Sequence, residues 1–236
     1  MQMEQEIQNA ARAIVSFADS YTQNKQRKQN ELTESESTLS LAQVTSSLES
    51  LWRQIGMNKS SKQEIQIPRL LKSLIALVTF RLGTHLREEI DLLRTKLRHW
   101  SIWCLGEIVD YGDEQVQSEL VSNESGRVMT IAFCKAGGFG EEQDDEINDG
   151  LICISVFLRQ LHEGRNNYPQ PSFQPLPLLA RRTEEQIEEE GAIEEIEAQL
   201  NNNGFGGDIK SNANDAKAET LNRFIDSSNQ QPFWYR

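Results

Sequence analysis

No apolar run in this chain approaches the length of a bilayer span. The longest, "SLIALVTF" at Ser73 to Phe80, is far short of the ~20 residues a crossing helix needs, so no membrane span is expected. Cysteine is scarce as well. Cys104, Cys134 and Cys153 have no framework spacing, and the opening "MQMEQEIQNA" has no hydrophobic leader. An odd count without a leader predicts reduced thiols in a cytoplasmic or nuclear compartment, and makes the sequons at Asn58 and Asn123 chance matches. His85, His99 and His162 form no metal-ligand spacing with the cysteines or with each other, so neither a metal nor a cofactor is expected. Hydrophobic residues make up 37% of the chain, below the usual share for a globular domain, which predicts a compact core with polar extensions. Bases are outnumbered too: 24 Lys and Arg against 36 Asp and Glu leave a net charge of −12. That balance opposes general binding to nucleic acid or an anionic membrane, both polyanions.

The acidity comes from two runs. One is Glu141, Glu142, Asp144, Asp145, Glu146 and Asp149; the other is the set of glutamates from Glu184 to Glu197. The first run, "EEQDDEINDG", invites a calcium reading. Placing Gly150 at position six of an EF-hand loop puts Ile147 at position three and Val156 at position twelve, so both ligand positions fail. A solvated acidic loop is expected there instead. "KAGGFGEE" lacks the spacing of a phosphate-cradling loop, and its glycines run into carboxylates.

Periodicity is strong in the first half. Ile7, Ala10, Ile14, Phe17 and Tyr21 recur at steps of three and four, as do Leu41, Val44, Leu48, Leu51 and Ile55, which predicts two helices separated by the polar linker "NELTESES". Gly56 is a C-terminal stop for the second. A third element begins near Pro68, placed in a helix first turn, passes a kink at Gly83 and continues through Leu86, Ile90, Leu93, Leu97, Trp100 and Cys104. Leu86, Ile90, Leu93, Leu97 and Trp100 are the candidate self-association seam. The same segment carries Arg69, Lys72, Arg81, Arg87, Arg94, Lys96 and Arg98, a candidate basic face followed by Trp100 and Trp103. That face suits RNA, a membrane surface or an acidic segment; the last includes the chain's own acidic runs. "DYGD" at Asp110 to Asp113 reads as a turn.

The second half differs. "GRVMTIAFCKAGG" and "GLICISVFLRQL" are short, β-branched and bounded by glycine, which predicts two buried strands, the second with a helical alternative. Prolines 169, 171, 175 and 177 predict an extended linker. Thr183 is the expected N-cap of an acidic helix that Gly191 interrupts. Before Gly191 this helix has little apolar surface and reads as solvated. After it, Ile193, Ile196 and Leu200 share one face and need a docking surface. "NNNGFGGD" reads as a flexible break before a short last helix, and Phe233, Trp234 and Tyr235 form an aromatic tail that either docks back or recognises a partner.

The fold class expected is mainly α: a helical bundle with a small mixed α/β element and an acidic C-terminal helical extension. The divisions are a helical core at 1–123, a strand-containing element at 124–165, a Pro-rich linker at 166–182 and the acidic region at 183–236. No catalytic motif is present, so the expected role is non-enzymatic: an oligomeric interaction or regulatory protein. It self-associates through its helices and binds protein partners through Ile193, Ile196, Leu200, Phe233, Trp234 and Tyr235. The second reading is a nucleic-acid-associated regulator, such as a viral accessory protein, acting through the basic face. The third is an enzyme with a cysteine nucleophile, which would need a depressed thiol pKa.

Overall fold

A computed structural model of the chain describes residues 2–26, 38–58, 67–81, 87–134, 141–204 and 207–225. Among them lie ten α-helices and no strand; the one β-type pairing is an isolated antiparallel bridge between Arg165 and Phe173. Leu86, His85 and Gly83, the linker "NELTESES" and the tail residues Phe233, Trp234 and Tyr235 fall outside the described residues.

The first three helices are α1 (Gln2–Gln26), α2 (Thr38–Asn58) and α3 (Leu70–Val78). The stripe read from α2 is the buried face: Leu41, Val44, Leu48, Leu51 and Ile55 are each no more than 2% exposed. On α1, Ile7, Ala10 and Ile14 are buried, and Phe17 and Tyr21 pack their rings 5.5 and 4.6 Å from that of Phe80. Pro68 stands just ahead of α3 rather than in its first turn, because Arg69 takes the left-handed conformation (φ 69°) and the helix starts after it. α3 ends at Val78, so the element expected to run from Pro68 past Gly83 is two helices.

The second of these, α4 (Glu88–Tyr111), packs against α2 and α3. Ile90, Leu97, Ile102, Cys104, Leu105, Ile108 and Val109 are buried along it, with Trp100 half-buried against Trp52 at 5.1 Å. The turn at "DYGD" is present. Gly112 is extended, and Asp113 caps the next helix, α5 (Glu114–Ser122), by accepting the Val116 N–H at 3.1 Å.

Among its described residues the mixed element holds helices and no strand. The described part of the first expected strand, 126–134, belongs to helix α6 (Ser125–Cys134), the second lies within α7 (Glu141–Glu163), and the acidic "loop" 141–150 is the start of α7. The reason lies in spacing. Ile147, Leu151, Ile154, Leu158 and Leu161 recur at steps of four and three and are all buried, as are Met129, Ala132 and Phe133 on α6. β-branched composition is a weak preference that burial of a helical stripe overrides. α7 packs on both α4 and α6, joining the two halves of the molecule.

Beyond α7 the chain folds back on it. Pro177 opens α8 (Pro177–Glu189) at its first position, so Thr183 is not an N-cap; it lies within the helix, fully buried, its hydroxyl donating to the Leu179 carbonyl at 2.9 Å. Gly191, at φ 74°, separates α8 from α9 (Ala192–Gln199), as the two apolar faces required. The final helix, α10 (Asp208–Ile225), is 18 residues long rather than short, and packs on α7 and α9. Buried apolar residues from Ile7 to Ala216 form one cluster, and Ala180, Ile187, Ala192 and Ile196 of the acidic segment belong to it.

Candidate functional site

The seven bases expected to share one face are dispersed. Arg69 pairs with Asp19 at 2.7 Å, and the Arg81 guanidinium lies 5.7 Å from the Tyr21 ring centre. Arg94 is 2% exposed, 3.6 Å from Asp91. Lys72, Arg87 and Lys96 are exposed. Arg98 is turned toward α7, where its Nε donates to Glu146 Oε1 at 2.7 Å; its other nitrogens reach the Phe80 carbonyl and the Thr95 hydroxyl at 3.2 and 3.0 Å. Arg98 thus meets a carboxylate of the 141–150 run, while Arg69 and Arg94 pair with Asp19 and Asp91.

The neighbouring contact is His99 Nδ1 to Asp149 Oδ2 at 2.6 Å, with the imidazole edge-on to Trp100 (5.0 Å) and tilted against Trp103 (6.1 Å). Glu146 and Asp149 are three residues apart on one face of α7, and both are buried. Burial disfavours protonated His99. The hydrogen bond and charge of Asp149, joined by the charges of Asp145 and Glu146, outweigh it, so the imidazole pKa lies above its ordinary value. Burial raises Glu146 above the usual carboxylate range, with Arg98 pulling the other way. A void of about 10 Å³ beside these groups, lined by Val78, Ile102 and Ala132 as well, has room for about one water molecule. This cluster holds α4 to α7.

The second acidic run behaves differently. Glu184 is buried, its carboxylate 2.8 Å from His162 Nε2. Arg127 of α6 meets Glu189 at 2.5 Å and Glu190 at 2.9 Å, and Lys217 of α10 meets Glu197 at 2.9 Å. Glu185, Glu188, Glu189, Glu194 and Glu197 remain exposed. The half of the helix before Gly191 is docked as firmly as the half after it, contrary to its solvated reading: Gln186 donates to the Val121 carbonyl at 3.0 Å, and Ile187 is 2% exposed. Ile196 is buried; Ile193 and Leu200 are half-buried. Between α8, α9 and α10 runs a groove of about 580 Å³ lined by Arg181, Glu184, Glu185, Ile187, Glu188, Ile193 and Thr220. Its size is that of an ordinary ligand or peptide pocket.

One organising residue had no sequence signal. Arg165 is 8% exposed and donates to the carbonyls of Val109 (3.0 Å), Asp110 (2.5 Å) and Gly112 at the end of α4, and to Pro171 (2.9 Å). It neutralises the carbonyl-rich end of α4, where a cation is favoured. Gln160 and the Phe173 ring (4.8 Å) hold it in place.

Cys104 and Cys153 are buried, and burial pushes both thiols well above their ordinary range, the opposite of what a nucleophile requires. Cys134 is half-buried. Among the described residues, no group of three or more His, Cys, Asp or Glu is placed to hold a metal ion, and no helix is long and apolar enough to cross a membrane. No protein-family model, curated protein or solved structure matches the chain.

Proposed function

We propose that this chain is a non-enzymatic interaction protein whose partner is a protein with a basic surface, bound on the exposed glutamates of α8 and α9. One contrast carries the reading. The 141–150 run turns Glu146 and Asp149 inward onto Arg98 and His99, whereas Glu185 and Glu188 of the later run are exposed and line a groove, and Glu194 is exposed on α9. Exposed carboxylates in one patch steer a cationic partner and set its orientation more than they add raw affinity. The ion pairs already on this face, such as Arg181–Glu185 at 3.1 Å, are exposed and weak enough to exchange for a partner's bases.

Self-association through the 86–100 seam is not part of this proposal. Ile90 and Leu97 are buried within the chain's own core, so a homo-oligomer would need another surface. Nor do the bases of 69–98 favour a nucleic-acid role, since Arg69, Arg94 and Arg98 face the chain's own acids. A cytoplasmic or nuclear setting accords with three thiols that form no disulfide. The test is a variant with Glu185→Lys, Glu188→Lys and Glu194→Lys together. All three positions are exposed, so the fold is retained and binding of the basic partner is lost.

A further inference from the structure

We infer that the groove between α8, α9 and α10 is the docking site of this chain's own C-terminal segment, residues 226–236, through Phe233, Trp234, Tyr235 and Arg236. Three observations converge on this occupant. The first is reach. Thr220 of α10 lines the groove, and α10 ends at Ile225, so the segment leaves a helix that is itself one wall. Thr220 and Ile225 are about 8 Å apart along the helix at its ordinary rise. The spacer "DSSNQQP", residues 226–232, extends to ~23 Å, enough to turn back past the helix end and set the aromatic cluster beside Thr220.

The second is chemistry. Ile193, half-buried, with Ile187 almost wholly covered behind it, gives the groove a short apolar strip, and the aromatic triplet is the only run of three consecutive aromatic residues in the chain. Large aromatic side chains gain most from such a strip, and Trp and Tyr keep a polar edge for its rim. The third is charge. Glu185 and Glu188 line the groove, against the single base Arg181, and Arg236 follows the aromatics directly. An apolar strip with carboxylates at its margin matches an aromatic cluster ending in a base. The spacer also contributes Pro232 immediately before the cluster, which limits the conformations lost on docking.

This inference is separate from the partner reading above: the tail docks whether or not a basic protein also binds α8 and α9. If both hold, the tail occupies the partner's groove in the free protein.

The test uses the full chain with a photoreactive p-benzoyl-phenylalanine at position 235, leaving Phe233, Trp234 and Arg236 intact. Irradiation of a mixture of isotope-labelled and unlabelled chains, followed by mass spectrometry of the peptides, reports which residues are reached and whether within one chain. Cross-links within single chains to 181–193 or to the Thr220 region are the expected result. Glu185→Lys with Glu188→Lys should then cut their yield by about tenfold at low salt, the scale of a loss of two exposed charge contacts. Cross-links only between chains mean that a second copy is the occupant and overturn the inference. So do cross-links spread over other surfaces, an absence of cross-links, or a yield that the double charge reversal leaves unchanged.

Discussion

Arg165, buried, and His99, half-buried, show how much of this protein depends on single charged side chains. Arg165 joins the segment after α7 to the end of α4 by donating to three carbonyls there. Arg165→Ala leaves those carbonyls without their donor in a buried place, and should lower unfolding free energy in urea by about 3 kcal/mol. Arg165→Lys should recover only a minor part, because one ammonium cannot cover the guanidinium fork. His99 gives a pH signature. Folding raises its pKa above 6.5, so its contribution is complete below that value and fades as pH rises through the folded-state value. The stability gap between the protein and its His99→Gln variant should therefore narrow steadily from acid toward alkaline pH in parallel urea titrations. A gap constant across that range would mean that the imidazole is not held by Asp149. Neither residue was legible in the sequence as anything more than a lone base. Asp149, the partner of His99, and the α4 carbonyls that Arg165 reaches lie 50 or more positions away in the chain, and no local pattern encodes such a distance.

At the scale of elements, periodicity located the helices it could measure and composition misled where it stood in for periodicity. The stripes on α1 and α2 were readable because their steps of three and four are clean. The segments 126–138 and 150–161 were short and β-branched, but continuing the pattern of 151–161 back to Ile147 supplies the missing turn of α7. Charge hid it: six acids in 139–150 looked like loop, although Glu146 and Asp149 face bases on α4. Gly191 was legible because the apolar face changes across it. Docking of α8 was not, because it depends on a close approach. A Cβ at Gly126 would come within 2.7 Å of Thr183 Cγ2. Gly126→Ala should accordingly destabilise the protein by about 1–3 kcal/mol as α8 is pushed from α6. Thr183→Ser in that background removes the offending methyl, keeps the hydroxyl, and should restore part of the loss in thermal unfolding. Equal stability of the single and double variants would place the strain elsewhere.

For the whole molecule, the net charge of −12 conceals two different uses of acid. The first run contributes inward-facing carboxylates that tie the two halves together through α4 and α7. The second is anchored by Ile187 and Ile196 and keeps much of its charge outside. The sequence alone could only pose the choice between a self-contained helical face and a partner surface, since it does not show which side of each helix is covered. The measurement that bears most directly on the proposed function is quantitative affinity capture at two ionic strengths, comparing the full chain with the triple Glu185→Lys, Glu188→Lys, Glu194→Lys variant after circular dichroism has shown equal helicity. The account predicts a basic protein retained by the first at low salt, weakened at high salt and reduced by about tenfold or more on the second. Equal retention on both chains, independent of salt, would contradict it.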